Sequence, residues 1–233
     1  MRARRMAHIL GAAVVATTAV LFDASVPTAS AQPCPDVEVV FARGTGEPPG
    51  VGGVGQAFVD SLRSQLGART VGVYAVDYPA SSDFENREAF ASTVVDGIRD
   101  AGAHVQSTAA TCPNTKVALG GFSQGAVVAG FVTAADIPPG VPAALAPAPL
   151  PPEVTDHVAA VALFGKPSGE FLGKYGAPVI TIGPSFAAKT IDLCASGDTI
   201  CDGAPDGGPT IAHALYGVNG MTNEAAAFAA SRI

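Results

Sequence analysis

Short apolar runs alternate with longer amphipathic stretches along most of the chain. Five runs have strand length, are rich in β-branched residues and end at Gly, Pro or polar residues, so they predict β-strands. They cover 37–42, 70–76, 116–121, 158–164 and 178–182. Apolar residues at helical spacing predict helices over 54–66, 87–110, 126–135 and 222–231. This alternation is typical of an α/β domain with a parallel sheet and right-handed crossover connections.

One stretch fits neither kind of element. Residues 137–152 are rich in Pro and Ala, and Pro lacks the backbone N–H that a helix or a central strand requires. The stretch is also too short and too apolar for a linker between domains. We expect it to form an ordered surface loop.

The first 31 residues have the composition of a secretory signal peptide. Arg2, Arg4 and Arg5 precede an apolar run over 9–22, and Ala29-Ser30-Ala31 suits cleavage. The run is shorter than the roughly 20 residues of a membrane-spanning helix, so a transmembrane anchor is the weaker interpretation. We expect a signal peptide over 1–31, one domain over 32–233, and a secreted protein that is extracellular or associated with the cell wall. Sec and twin-arginine export both stay open.

The chain carries few charges. Charged residues make up 14% of it and the formal net charge is −7, whereas an average domain has about a quarter of its residues charged. No basic cluster follows the predicted signal, which argues against a nucleic-acid partner. An uncharged surface suits contact with a lipid or cell-wall surface, although an Ala-rich composition alone would produce it. We expect a monomer.

The four cysteines, Cys34, Cys112, Cys194 and Cys201, all follow the predicted signal. An even number in an exported chain predicts two disulfides, for which three pairings exist. The short spacing favours Cys194–Cys201, which leaves Cys34–Cys112. A zinc site is the alternative, but no close C-x-x-C pair and no His at ligand spacing supports it. We expect no metal.

A candidate nucleophile lies in Gly121-Phe122-Ser123-Gln124-Gly125, between the third predicted strand and its following helix. A Ser at a sharp strand-to-helix turn is the nucleophile elbow of serine hydrolases. The two glycines would let the helix approach the strand closely. The first N–H groups of the helix would face the Ser, where an oxyanion needs donors. Because the chain is rich in Gly, Ala and Ser, the pattern alone is weak and requires a base and an acid.

His213 is the candidate base. A Ser nucleophile needs a base to take its proton, and His is the usual one. His8 leaves with the predicted signal, and His104 and His157 are interpreted as solvated or capping side chains. Hydrolases of the α/β class carry Ser, acid and His in that chain order, and His213 leaves several acidic residues between itself and Ser123.

Asp198 is the leading candidate acid, because a small Cys194–Cys201 loop would hold its carboxylate rigidly and orient the base. Asp192, Asp202 and Asp206 stay open as alternatives. One oxyanion donor is expected from the loop after the first strand, where Thr45 offers an N–H and a hydroxyl. The other is the N–H of Gln124.

Four blocks, in order, resemble the cutinase family of secreted serine esterases, and specifically its actinobacterial cutinase-like members. They are Cys34-Pro35 with Phe41-Ala42-Arg43-Gly44-Thr45-Gly46-Glu47, then Cys112-Pro113, then Gly121 to Gly125, then Cys194 to Cys201 followed by His213. The resemblance implies Ser123 as nucleophile, Asp198 as acid and His213 as base. It also implies Thr45 and Gln124 at the oxyanion hole, and the disulfides Cys34–Cys112 and Cys194–Cys201.

The same resemblance implies a compact α/β-hydrolase, a three-layer α/β/α sandwich around a mostly parallel sheet of about five strands, without a large lid. The implied activity is hydrolysis of short- to medium-chain acyl esters, cutin-like polyesters or lipids, with no cofactor. Phe122 stands where fungal members often have Tyr, and Thr45 where they often have Ser, but Thr retains the hydroxyl. Acetylxylan-type sugar deacetylation, (lyso)phospholipid hydrolysis and a non-catalytic surface protein stay open as alternatives.

A glycine motif suggests a rival function. Residues 50–55 read G-x-G-x-x-G and precede a predicted helix, and Asp77 follows at the distance of a ribose-binding acid. However, the strand before the motif ends well upstream and Pro48-Pro49 intervenes. These departures argue against a dinucleotide site.

Overall fold

The computed structural model describes residues 33–233, so the predicted signal peptide over 1–31 lies outside the described residues. Five strands and eight helices follow in the order β1 Val37–Ala42, α1 Gly52–Leu66, β2 Val71–Ala75, α2 Arg87–Thr111, β3 Lys116–Phe122, α3 Gln124–Val132, α4 Pro152–Thr155, β4 Val158–Phe164, α5 Gly169–Lys174, α6 Pro184–Ala187, β5 Thr190–Leu193, α7 Ile211–Ala214 and α8 Met221–Ala230. Within 33–233, no helix has the length and apolar character needed to cross a bilayer.

The five strands form one parallel sheet in the order β2-β1-β3-β4-β5. The register pairs Ala42 of β1 with Gly121 of β3, and Phe122 of β3 with Phe164 of β4. The carboxyl ends of the three central strands therefore meet at one edge of the sheet. Ligand sites of open α/β sheets lie at this edge.

Helices cover both faces of the sheet. Alternate residues of β1 point to opposite faces, as the period of two in a strand requires: Val39 and Phe41 pack in one core with α1 and α8, whereas Val40 and Ala42 pack in the other with α2 and α3. The predicted three-layer sandwich around a five-stranded parallel sheet is confirmed. Most predicted elements agree with the structure to within three residues at either end.

The fifth strand was predicted at the wrong place. Residues 178–182 form no strand, and the strand that pairs with β4 is β5 at Thr190–Leu193. Ile180 instead packs on α3, where a Cβ on Gly130 would lie 2.7 Å from the Ile180 side chain. This packing leaves Ile180 half-buried and Val179 61% exposed, and the β-branched pattern of 178–182 did not distinguish the arrangement from a strand.

The Pro-rich stretch behaves as expected. Residues 133–151 contain no helix or strand, and α4 begins at Pro152, where a missing N–H costs nothing. The stretch is held by short turns, such as the bond from the N–H of Leu145 to the carbonyl of Pro142 at 2.9 Å.

Two disulfides cross-link the domain. Cys34–Cys112 joins the segment before β1 to the end of α2, across 78 positions of the sequence, and Cys194–Cys201 closes a loop after β5 across 7 positions. Bonds of this kind persist in oxidising compartments.

Candidate active site

Ser123 stands at the turn between β3 and α3 in a conformation that L-residues rarely adopt. Its φ is +53° and its ψ is −117°, and its N–H is anchored to the carbonyl of Phe164 at 2.9 Å. Such backbone strain persists only where the surroundings over-determine it, and it clusters at functional sites. The turn lifts the Ser123 side chain clear of the strand that precedes it.

The two glycines of the pentapeptide have the predicted steric role. A Cβ on Gly121 would lie 2.1 Å from the carbonyl oxygen of Gly125, and a Cβ on Gly125 would lie 1.9 Å from the carbonyl oxygen of Ala42. Any side chain at either position would therefore push α3 away from β1 and β3. The close approach places the first N–H groups of α3, which have no acceptor within the helix, beside Ser123.

Ser123, His213 and Asp198 form one hydrogen-bonded chain. Oγ of Ser123 lies 2.8 Å from Nε2 of His213, and Nδ1 of His213 lies 2.8 Å from Oδ2 of Asp198. With the ring proton on Nδ1, Nε2 has a free lone pair that can accept the hydroxyl proton of Ser123. Ser123 and His213 are 90 positions apart in the sequence, and Asp198 and His213 are 15 positions apart. Only the fold brings the three residues together.

His213 reaches this position through a short helix. The hydroxyl of Thr210 caps α7 by accepting the N–H of His213 at 3.3 Å. The ring of Phe122 lies 5.0 Å from the His213 ring, centroid to centroid, and fixes its other side. Capping and ring packing leave the imidazole few alternative orientations.

Asp198 is fully buried and has its lone pairs satisfied. Oδ1 accepts the N–H of Ile200 at 3.1 Å, and Oδ2 accepts the hydroxyl of Tyr216 at 2.7 Å in addition to facing His213. The Cys194–Cys201 disulfide closes the loop that carries it. A buried carboxylate with this set of donors can orient an imidazole and stabilise its positive charge.

The other candidate acids and bases lie elsewhere. Asp192 is exposed and pairs with Lys166 at 3.2 Å, Asp202 accepts the N–H of Ala204 at 2.9 Å, and Asp206 is exposed. Nε2 of His104, on α2, lies 3.1 Å from Oε2 of Glu38, on β1. Neither His104 nor His157 lines the cavity that contains Ser123.

Thr45 and Gln124 line the same cavity as Ser123 and His213. The loop that carries Thr45 is held by Arg43, whose buried guanidinium donates to the carbonyls of Glu47 at 2.8 Å and of Val76 and Tyr78. The hydroxyl of Tyr78 donates in turn to the carbonyl of Arg43. The geometry is therefore that of a rigid loop facing the N-terminus of α3.

The glycine motif over 50–55 serves this loop. The carboxylate of Glu47 accepts the N–H of Gly44 at 2.6 Å and the N–H of Gly53, in the first turn of α1, at 2.9 Å. A Cβ on Gly52 would lie 2.3 Å from that carboxylate. The anion at the start of α1 is thus a side chain of the protein itself, where a dinucleotide site would need space for a phosphate.

Two residues that support the site were not identified from the sequence. Tyr216, fully buried, donates to Asp198 and accepts the N–H of Ala195 at 2.8 Å. Burial and the hydrogen bond to Asp198 raise the pKa of Tyr216 well above its usual value, so its hydroxyl stays a donor. Gly165, at φ +54°, is the second: a Cβ there would lie 3.0 Å from Cε1 of His213 and 3.1 Å from Oδ2 of Asp198. In the sequence, Tyr216 follows the candidate base His213 by three positions, and this closeness was the one signal for a supporting role.

A cavity of about 640 Å³ opens beside Ser123 and runs between α2 and α3. Its lining is mostly apolar and includes side chains of both helices and of the Pro-rich stretch. Within the described part of the chain, no three His, Cys, Asp or Glu side chains are grouped to hold a metal ion.

Comparison with known proteins identifies the family. The model of the Cutinase family matches residues 33–233, which is the whole of the described domain. The chain belongs to the cutinase family. Like other members of this family, it is a carboxylic ester hydrolase.

Mycobacterial members of the cutinase family are similar to this chain over most of their length. Probable carboxylesterase Culp7 of Mycobacterium tuberculosis is 59% identical over 73% of this chain and 89% of its own. Carboxylesterase Culp1 of Mycobacterium bovis is 48% identical over 100% of this chain and 98% of its own. Phospholipase Culp4 of Mycobacterium tuberculosis is 50% identical over 99% and 93%.

Solved structures of fungal esterases share the fold. Trichoderma reesei cutinase, in complex with a phosphonate inhibitor, superposes with a TM-score of 0.59 and 35% identity, over 85% of this chain and 77% of that one. The catalytic core of Trichoderma reesei acetyl xylan esterase gives a TM-score of 0.68 at 23% identity, over 86% and 100%. At that identity the second similarity concerns the fold alone.

Proposed function

We propose that this cutinase-family chain hydrolyses acyl esters through a covalent acyl-enzyme on Ser123. His213 Nε2 takes the hydroxyl proton as Oγ attacks the ester carbonyl carbon. The carbonyl oxygen becomes an oxyanion, which accepts hydrogen bonds from the N–H groups of Thr45 and Gln124. When the tetrahedral intermediate collapses, the C–O bond to the alcohol breaks and His213 returns the proton to the leaving oxygen.

Deacylation repeats these steps with water. His213 removes a proton from a water molecule that attacks the acyl carbon, and the same two N–H groups hold the second oxyanion. Collapse releases the carboxylic acid and returns the proton to Oγ of Ser123. Asp198 keeps the ring proton on Nδ1 and stabilises the imidazolium in both halves of the cycle. The observation that supports the proposal is the pair of 2.8 Å contacts through His213.

The decisive experiment compares Ser123→Ala with Ser64→Ala, an exposed serine of α1. Ser123→Ala should lower kcat for p-nitrophenyl butyrate by about 10⁴-fold or more, whereas Ser64→Ala should match the wild type. A reactive phosphonate should modify the wild-type peptide that contains Ser123, as detected by mass spectrometry. Retention of most activity by Ser123→Ala, or modification at another serine, would exclude Ser123 as the nucleophile.

The apolar lining of the cavity favours an ester with a hydrocarbon acyl chain over an acetylated sugar. Transfer of a hydrocarbon chain from water to such a surface is favourable, whereas transfer of a sugar is not. The 50% identity to a protein named as a phospholipase supports phospholipid esters as the second candidate substrate. Parallel assays on p-nitrophenyl butyrate, acetylated xylan and phospholipid vesicles distinguish the three substrate classes, and highest activity on the xylan would contradict the preference for hydrocarbon acyl chains.

The two disulfides support export to an oxidising compartment, and we place the protein outside the cell or at the cell wall. Residues 1–31 would be removed on the way. N-terminal sequencing of protein from culture supernatant should begin at Gln32. Sedimentation with and without lipid vesicles would test the expected monomer and its contact with a lipid surface.

A further inference from the structure

The cavity beside Ser123 continues far beyond the reacting atoms. Its α3 wall is formed by Gln124, Val127, Phe131 and Ala134, which share one side of the chain from the elbow onward. The helical part of this wall, from Gln124 to Phe131, is about 10 Å long at about 1.5 Å per residue, and Ala134 lies beyond the end of α3. A site for a short acyl group alone would need only a fraction of this length.

The wall from α2 is longer. Arg87, Phe90, Ala91, Val94, Val95 and Ile98 line the cavity. Their spacing is that of one stripe on a helix, and it extends over about 16 Å. Both α2 and α3 thus line one elongated space with mostly apolar side chains.

The Pro-rich stretch closes this space on the outside. We call residues 136–149 the wall segment; Ile137, Pro138, Val141, Ala146, Pro147 and Pro149 of this segment line the cavity. Arg99 of α2 donates to the carbonyl of Leu145 at 2.9 Å and so ties the segment across the groove. Because Pro restricts the backbone, the segment is ordered before any ligand arrives.

Charge is confined to the rim. Apart from His213 and the Tyr175 phenol, the ionisable side chains on the lining are those of Arg87 and Asp136, and both are exposed to solvent. Val94 and Ala134, in contrast, are buried and apolar. Inside the rim, the polar side chains are those of Thr45, Ser123, Gln124 and His213 at the reacting end and that of Tyr175, and the rest of the lining is apolar.

We propose that this groove binds a single extended acyl chain of about 12 carbons or more, so that the enzyme prefers long-chain acyl esters to short ones. An extended chain advances about 1.2 Å per bond, as follows from the reach of three-bond residues, and about 13 bonds therefore span the α2 wall. The cavity volume of about 640 Å³ is that of a site that encloses a small ligand. The proposal rests on the function proposed above, since it places the acyl carbon at Ser123.

The first test is a series of p-nitrophenyl esters from C4 to C18, assayed below the concentrations at which they form micelles. kcat/KM should rise with chain length up to about C12–C14, by as much as about fourfold per methylene that is buried, and then level off. A value that is highest at C4 and falls steadily would overturn the proposal, while hydrolysis of the C4 ester would leave the role of Ser123 intact.

The second test places a side chain in the groove. Ala134→Phe, at its far end, should lower the C12-to-C4 ratio of kcat/KM at least tenfold. Val95→Phe fills the groove from the opposite, half-buried wall and should have the same effect if Ala134→Phe fails to fold. Ala103→Phe, on an exposed face of α2, is the matched control and should keep the wild-type ratio. An unchanged ratio in both groove variants would show that the chain lies elsewhere.

A binding measurement separates the groove from the chemistry. Ser123→Ala should bind dodecanoate more tightly than butyrate by calorimetry, by at least 100-fold, and Val95→Phe in the same background should remove the difference. This result would support the groove even if no ester were hydrolysed. Equal affinity for the two acids would overturn the proposal whatever the activity of the wild type.

Discussion

Tyr216 donates a hydrogen bond of 2.7 Å to Oδ2 of Asp198, the oxygen that also faces His213. The same hydroxyl accepts the backbone N–H of Ala195, so Tyr216 connects the loop after β5 with the segment after α7. The ring is fully buried and does not line the cavity. Tyr216 is therefore placed to hold the carboxylate in position without touching the substrate.

Replacing Tyr216 with Phe should lower kcat by about tenfold, because a hydrogen bond to a charged group is lost and Asp198 can turn away from His213. KM should stay unchanged. Tyr74→Phe is the matched control, since its hydroxyl also donates to a carboxylate, that of Asp100 at 2.9 Å, but far from Ser123. Steady-state kinetics on p-nitrophenyl butyrate distinguish the two variants. Equal kcat values in both would show that Tyr216 has a structural role alone.

Gly165→Ala should also lower activity, because the added methyl group would contact His213 and Asp198. At φ +54° an Ala costs about 1 kcal/mol of stability, and its Cβ would contact both His213 and Asp198. Gly67→Ala also places a side chain at a positive φ, +62°, but with no neighbour within 4 Å of the added Cβ. We expect similar losses in the free energy of unfolding by urea, and a fall in kcat of at least tenfold for Gly165→Ala only. A normal kcat for Gly165→Ala would mean that His213 and Asp198 adjust to the added methyl group.

Removal of each disulfide in turn should affect the unfolding free energy and kcat to different extents. Cys34–Cys112 closes a loop of 78 positions, and its removal by a double Ser substitution should cost about 4.5 kcal/mol of unfolding free energy with little effect on kcat. Cys194–Cys201 closes a loop of 7 positions, so its removal should cost only about 2 kcal/mol. It should nevertheless lower kcat more, because the loop carries Asp198. Urea unfolding and kinetics on both variants test this, and an unchanged kcat without Cys194–Cys201 would contradict it.

Glu38 should make the stability of the domain depend on acid pH. Burial by itself would raise the pKa of Glu38, but hydrogen bonds from His104 and Thr108 outweigh burial and lower the pKa from its usual value of 4.5. A carboxyl group whose pKa is lower in the folded state stabilises the fold above its unfolded pKa. That contribution is lost as the pH falls through the folded pKa.

Glu38→Gln should therefore flatten the fall in unfolding free energy below about pH 4.5. Glu85→Gln, at an exposed position, should follow the wild-type curve. Urea unfolding between pH 3 and pH 7 provides the measurement. If the unfolding free energies of the wild type and Glu38→Gln fall in parallel at acid pH, the cluster of Glu38, His104 and Thr108 does not contribute to the loss of stability in acid.

The amino-acid sequence by itself determined the alternation of strands and helices, because burial on two faces of a parallel sheet imposes apolar runs that are visible without a structure. It also contained the local geometry of the elbow, since Gly121 and Gly125 mark the close contacts that the structure shows. Family motifs extended the reading to Asp198, His213 and Thr45. Each of these predictions rests on interactions among neighbours in sequence or on a motif with fixed order.

Tertiary structure alone decided the features that depend on contacts between distant residues. The position of β5 is one, because 178–182 and Thr190–Leu193 both contain β-branched apolar residues, and only the pairing with β4 shows which of them forms the strand. Tyr216, Gly165 and the long groove are the others. The groove forms where α2, α3 and the wall segment meet, whereas Tyr216 and Gly165 act beside Asp198 and His213. The free energy of such packing depends on side chains that lie far apart in the sequence.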